Sequence, residues 1–186
     1  MSDADPRLPD LRTARTRPDH DEYFMLLAVA TRERAECMGR HVGAVLVREG
    51  RIIATGYNGT PRGFARCNAV ERGCHRCADR ASYPSGVGYD ECICVHAEQN
   101  AVLQAARLGY SCDGASCFST LRPCFGCLKE LHQAGVREVA YLNEWAPGDE
   151  RARAAYLELL AELARQGVVV RHLALAPARL DLRGEA

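Results

Sequence analysis

Apolar residues recur at helical spacing from Asp21 to about Cys37, at Phe24, Leu27, Ala28 and Ala30, with Asp19 or Asp21 placed to cap the helix. Gly43–Arg48 is a short apolar run of strand type, Glu49-Gly50 turns it, and Arg51–Gly56 returns as its hairpin partner. From Tyr57 to Val95 the periodicity fails, and Gly, Pro and Cys abound. A structureless loop of that length persists in a compact domain only when something staples it. Periodicity resumes with a helix over His96–Arg107, carried by Ala97, Ala101, Val102 and Ala105. A strand Ser116–Leu121, a helix Cys124–Ala134 opened by Pro123, a strand Val136–Leu142, a helix Arg151–Gln166 and a strand Val168–Ala174 complete the pattern. Gly135 and Gly167 follow the last two helices as C-caps.

The order αββαβαβαβ predicts a three-layer α/β/α fold, a five-stranded mixed sheet flanked by helices, with its last two αβ units adding parallel neighbours. Residues 1–20, polar and Pro-containing, read as a flexible tail; 21–175 form the domain, with a cysteine-rich insertion at about 58–95; 176–186 are a C-terminal tail. No apolar run is long enough to span a bilayer. The first twenty residues lack the apolar centre of a secretory signal, and their aspartates argue against a mitochondrial address. A cytoplasmic protein is expected.

Lys and Arg balance Asp and Glu at 24 each, so the formal net charge is zero. Gripping long nucleic acid by its phosphates usually takes a basic face. Balance points instead to a small substrate. Ten cysteines in 186 residues suggest disulfides in an exported chain, but thiolate–zinc chemistry in this one. Cys67, Cys74, Cys77, Cys92 and Cys94 lie in the irregular segment and Cys37 precedes it. Cys74-x-x-Cys77 has knuckle spacing, and four thiolates on one structural zinc would staple the loop. Spacing does not fix which four. Cys92 and Cys94 alternate on an extended run, which sets them on opposite sides. Cys112 and Cys117 read as ordinary surface or core cysteines.

The chemistry concentrates in His96-Ala97-Glu98 and, downstream, Pro123-Cys124-Phe125-Gly126-Cys127. One imidazole and two thiolates fill three positions of a tetrahedral zinc and leave the fourth for water, whose pKa falls to about 7. Hydroxide adds to the amidine-like C4 of a cytosine, and ammonia leaves that carbon only after its nitrogen gains a proton. Glu98, near the metal without ligating it, suits that proton shuttle. A lone His-x-Glu means little, and a lone Cys-x-x-Cys is also a redox pair or half a knuckle. Each here opens a predicted helix after an extended segment, and H-x-E…P-C-x-x-C is the recognised signature of zinc-dependent nucleobase deaminases. A non-enzymatic zinc scaffold would not need Glu98.

Over about Asp21 to Leu173 the chain resembles the deoxycytidylate (dCMP) deaminases of the zinc-dependent cytidine/deoxycytidylate deaminase superfamily. Val42–Val47, Gly56-Tyr57-Asn58-Gly59-Thr60-Pro61-Arg62-Gly63, His96–Ala101 and Pro123–Cys127 carry the resemblance, and Cys67-Asn68 with Cys74-His75-Arg76-Cys77 is similar to a subgroup in some bacteria and fungi. It implies a cytidine-deaminase-like fold and a hydrolase acting on the C–N bond of a cyclic amidine, converting dCMP to dUMP and ammonia for thymidylate synthesis. It implies His96, Cys124 and Cys127 as catalytic zinc ligands and Glu98 as the shuttle. Asn58 would hold the sugar or base, and backbone groups near Ala97 the pyrimidine. It implies a second zinc on Cys37 and Cys67, completed here by Cys74 and Cys92. It also implies a homo-oligomer, hexamer or dimer, activated by dCTP with Mg²⁺ and inhibited by dTTP, partly through Gly56–Gly59.

Two departures matter. Trp145 stands where the family tends to have a pocket tyrosine, which keeps another cytosine nucleotide or a modified pyrimidine in view as substrate. The phosphate clamp has no clear counterpart, and Arg40 and His41 are its candidates. A deaminase of tRNA adenosine or single-stranded DNA shares the metal chemistry, but the neutral helix at Tyr156–Leu163 lacks the basic, aromatic face that substrate asks for.

Overall fold

The computed structural model describes residues 17–79, 81–83 and 87–175. Residues 1–16 of the expected N-terminal tail, and the whole expected C-terminal tail, lie outside the described residues. Helix α1, His20–Arg32, starts at Asp19, whose carboxylate accepts from the Glu22 N–H at 2.8 Å. Strands β1, Gly43–Arg48, and β2, Arg51–Tyr57, form the expected hairpin. Its turn residues Glu49 and Gly50 have φ of 53° and 69°, the left-handed pair that a tight two-residue hairpin demands. A one-turn helix α2, His75–Ala78, follows within the irregular segment. Then come α3, Ala97–Leu108; β3, Ser116–Leu121; α4, Phe125–Gln133; β4, Glu138–Asn143; α5, Glu150–Arg165; and β5, Val169–His172.

The sheet order is β2-β1-β3-β4-β5. β1 is antiparallel to both β2 and β3, whereas β3–β4 and β4–β5 are parallel through the α4 and α5 crossovers. The mixed five-stranded sheet is therefore as expected. Alternation along the strands feeds two cores. Val45, Val47, Phe118 and Ala140 pack with Phe24, Met25 and Ala28 of α1. Ala44, Leu46, Cys117 and Val139 pack on the other face with Ala97, Ala101, Leu128, Leu131 and Tyr156 of α3, α4 and α5. Both faces of β1 are covered, so it reads as one apolar run and not an alternating one. Cys112 and Cys117 are buried in the second core, as ordinary core cysteines.

Helix and strand meet closely at Gly56. A Cβ there would stand 2.1 Å from the Ala97 carbonyl oxygen and 2.4 Å from the Ala101 nitrogen. Gly56 thus lets the backbone of α3 lie directly on β2 and fixes the height of the α3 N-terminus.

Several boundaries differ from expectation. Helix α1 ends at Arg32, not near Cys37, because the Glu36 N–H is taken by the Asn58 carbonyl and the chain turns Cys37 into a cysteine cluster. β4 and β5 are shorter, and β2 is one residue longer. His96 and Cys124 are N-caps and not first-turn residues, so Pro123 precedes its helix cap instead of opening the helix. The segment from Gly59 to Val95 leaves and returns through one bridge, in which each N–H donates to the other residue's carbonyl at 3.2 and 2.9 Å.

Candidate active site and metal centre

Helices α3 and α4 begin side by side at the carboxyl end of β3. The His96 N–H donates to Gln99 Oε1 at 2.9 Å, and Gln99 Nε2 donates to Glu130 Oε1 at 3.0 Å, tying the first turn of α3 to α4. This brings His96 Nδ1 to 3.3 Å from Cys127 Sγ and 3.4 Å from Cys124 Sγ. Ligands at zinc–nitrogen and zinc–sulfur bond lengths on a tetrahedron stand about 3.6 Å apart. The trio fits that ion, and its donor set of one imidazole and two thiols is zinc's own preference. The Tyr89 ring meets the His96 ring edge-on at 5.3 Å and steadies its plane.

Charge in the trio is already separated. Cys124 is drawn down to about 4, first by its hydrogen bond with Cys127 and then, against burial, by His96. Burial pulls His96 down, but the Cys124 sulfur outweighs it and lifts the imidazole to about 9. A ring nitrogen must give up its proton before it can ligate, so loading zinc displaces protons.

Glu98 lies in the first turn of α3 and is buried. Burial, its largest influence, raises its carboxyl above the ordinary range, with Cys124 adding to the effect. His96 and the Ser119 hydroxyl, which donates to Glu98 Oε1 at 2.8 Å, oppose it. A carboxyl raised in this way is suited both to accept a proton and to return it. Ser119 was not foreseen; its signal is a hydroxyl at a fully buried position of β3, where an apolar residue is the rule. Ser119→Ala is expected to leave the fold intact and lower kcat by about 10- to 100-fold, the kinetic counterpart of a hydrogen bond to a charged group at about 1.5–3 kcal/mol. Without that donor the protonated carboxyl is favoured, so the acidic limb of the pH–rate profile should move to higher pH. A profile that keeps its limb would reduce Ser119 to packing.

A cavity of about 340 Å³ opens above the trio, and Arg40, Asn58, Arg76, Tyr89, Arg122 and Trp145 are among its walls. Asn58 is buried and largely engaged: its Oδ1 accepts from the Val42 N–H and its Nδ2 donates to the Arg40 carbonyl, both at 2.8 Å. It therefore shapes the Arg40–Val42 wall as well as facing the cavity. Arg40 is exposed at the rim, whereas His41 is not among the lining residues. Trp145 is buried, stacked on Tyr89 at 6.0 Å and edge-on to Tyr156 at 5.7 Å, so it is at once wall and core. Sequence reasoning missed Arg122 and Arg76. The Arg122 guanidinium lies over Tyr141 and Tyr156 and pairs with Glu144 at 3.1 Å, while its Nε is buried without a hydrogen-bond partner among the described residues. Arg76 lies over the Tyr89 ring at 4.5 Å.

The expected quartet Cys37, Cys67, Cys74 and Cys92 does not form one group. Cys37 and Cys67 gather with Cys77 and Cys94, and Cys74 and Cys92 gather with Cys77. Alternation fails to part Cys92 from Cys94 because the segment is not a strand: the chain bends at Cys94, and both sulfurs turn to the same cluster.

Residues 18–143 match the family model described as the cytidine and deoxycytidylate deaminase zinc-binding region. The chain is 46% identical over 131 residues to a deoxycytidylate deaminase of Schizosaccharomyces pombe, covering 70% of this chain but 39% of that protein. It thus spans about two fifths of the yeast relatives it matches. A deoxycytidylate deaminase of Mycobacterium phage D29 is 38% identical, with 69% of this chain and 98% of the phage protein covered. Among solved structures, the dCMP deaminase of cyanophage S-TIM5 in complex with dCMP and dUMP superposes with a TM-score of 0.61 at 31% identity, covering 84% of this chain and 98% of that one.

Proposed function

Since the chain belongs to the cytidine and deoxycytidylate deaminase family, we propose that it hydrolyses dCMP to dUMP and ammonia. The observation that carries this reading is the convergence of His96, Cys124 and Cys127 beside a buried, Ser119-bonded Glu98 at the floor of an arginine-rimmed cavity. His96, Cys124 and Cys127 hold the catalytic zinc. The ion, when bound, supplies Lewis-acid activation of water near neutral pH. Glu98 takes one proton from the attacking water and delivers it to ring N3. It then carries the second to the 4-amino group, which leaves as ammonia while C4 becomes a carbonyl. Backbone groups at Ala97 fix the pyrimidine edge, and the stacked pair Tyr89 and Trp145 forms one wall of its pocket. Asn58 contacts the sugar, and the rim arginines Arg40, Arg76 and Arg122 supply positive charge for a 5′-phosphate.

Further points rest on the family resemblance. The domain runs over 21–175, the enzyme works in the cytoplasm as a homo-oligomer, and dCTP with Mg²⁺ acts through Gly56–Gly59. Among the described residues no helix is long and apolar enough to cross a membrane. A cysteine-only metal site, formed by Cys37 with cysteines of the 58–95 segment, completes the cofactor set. Trp145, a cavity-wall residue where the family tends to have a tyrosine, motivates a second reading, a base substituted on the ring.

Ammonia release from dCMP, deoxycytidine, CMP, dCTP and 5-substituted dCMP tests these readings. dCMP is expected to lead, with kcat/KM for deoxycytidine lower by at least about 100-fold, the loss of one or two charge-assisted hydrogen bonds. Faster turnover of a 5-substituted base would move the substrate to modified pyrimidines. Failure on every nucleotide by zinc-loaded protein would overturn the assignment.

A further inference from the structure

Outside the catalytic trio, six sulfurs meet in one cluster: Cys37, Cys67, Cys74, Cys77, Cys92 and Cys94. They arrive from three separate stretches of chain, and none is in a disulfide. Their positions divide into two metal-sized groups that share Cys77. One is Cys37, Cys67, Cys77 and Cys94; the other is Cys74, Cys77 and Cys92, and within each group all sulfurs lie within 4.8 Å of one another. The contacts have the length of a coordination polyhedron's edges. Cys37–Cys77 is 3.6 Å, while Cys74–Cys92 and Cys77–Cys92 are each 3.7 Å. Two sulfurs bonded tetrahedrally to one zinc stand about 3.8 Å apart.

One zinc uses the first group and leaves Cys74 and Cys92 an edge length away with nothing to coordinate. Cys92 stands 3.7 Å from Cys77, the sulfur common to both groups, so the groups meet there. Backbone donors already point at sulfur: the Met38 N–H to Cys67 Sγ and the Gly39 N–H to Cys37 Sγ, both at 3.3 Å. Such donors stabilise thiolates. Six thiolates with one dication hold twice the net negative charge that they hold with two, and buried charge is costly unless compensated. The sulfurs are too close together to admit the inorganic sulfides of an iron–sulfur cluster.

We propose that these six cysteines hold two Zn²⁺ ions in a single thiolate-bridged cluster, with Cys77 shared, Cys37, Cys67 and Cys94 completing one ion and Cys74 and Cys92 serving the other. Cys77 belongs to both groups, 3.6 Å from Cys37 in one and 3.7 Å from Cys92 in the other. The cluster binds the approach to β1, the loop around α2 and the residues just before His96 into one body. Cys37, Cys77, Cys92 and Cys94 also line the catalytic cavity, so the cluster is one of its walls. The site is independent of which pyrimidine is deaminated.

The test is a zinc count by native mass spectrometry on the full chain, reconstituted with Zn²⁺ alone under reducing conditions. Three ions per chain are expected, and two in His96→Ala, which lacks the catalytic site. Two in the unmodified chain with one in His96→Ala would overturn the proposal, as would iron in the protein as isolated. Cys92→Ser should lose one ion and keep the other two. If that variant does not fold, the unmodified chain loaded with ¹¹³Cd²⁺ still decides. Two all-sulfur resonances with cadmium–cadmium coupling through a shared sulfur support the bridge, and a single or uncoupled signal overturns it.

Discussion

Glu98→Gln is expected to lower kcat by between about 10² and 10⁴-fold while zinc at His96, Cys124 and Cys127 is retained, because general acid–base catalysis by a placed side chain contributes in that range. Glutamine keeps the shape of glutamate and still accepts from Ser119, whose hydroxyl stands 2.8 Å from Oε1. What it loses is the ability to take a proton from water and hand it to N3 and the amine. The variant should also melt higher than the original when both are metal-free at neutral pH. Burial raises the Glu98 carboxyl in the folded chain, so the folded state binds its proton more tightly than the unfolded state does. The stability associated with that group is present at low pH and is lost as pH rises through the raised value. An amide escapes the loss. Measured kcat, zinc content and melting temperature against pH separate the two effects. Full activity in the glutamine variant would remove Glu98 from the chemistry.

Gly56→Ala is expected to destabilise the chain by about 3 kcal/mol or more, at or beyond the upper end of ordinary overpacking. The added carbon would meet the Ala97 oxygen at 2.1 Å and the Ala101 nitrogen at 2.4 Å, and both are backbone atoms of α3 that no rotamer change can move. The helix must then rise off β2, taking His96 and Glu98 with it, so zinc content should fall together with the denaturation midpoint. Gly126 supplies the control. It lies within α4, and a Cβ there meets nothing within 4 Å, so Gly126→Ala should be neutral or slightly stabilising. Equal effects at both glycines would refute the close-contact explanation.

The sheet and the helices were legible because their periodicities are strong. Val45 and Val47 against Ala44 and Leu46 show why: a strand covered on both faces still alternates between two cores. The convergence of His96, Cys124 and Cys127 was legible because zinc chemistry restricts both ligand type and spacing. Three things were not. Glu36 and Asn58, brought together from either side of the hairpin, end α1 early, and no local pattern in α1 records that contact. The cysteine grouping depended on a bend at Cys94 that an extended reading of Ile93–Val95 could not supply. Ser119, Arg122 and Arg76 reach the site through sheet register and loop path, so their roles appear only once β3 is aligned beside α3.

The bridge between Gly59 and Val95 has a consequence for how this chain tolerates change. The long excursion between those residues passes out and back through one narrow doorway, directly before His96. The doorway sets where the backbone of His96 emerges, while Tyr89 and the cysteine cluster beyond it hold the ring and wall the cavity. Lengthening a closed path costs free energy only logarithmically, about 0.6 kcal/mol for each doubling. Residues can therefore be gained or lost on the far side of the doorway without moving the reacting atoms, provided the sulfurs still meet and Arg76 and Tyr89 keep their places in the cavity wall.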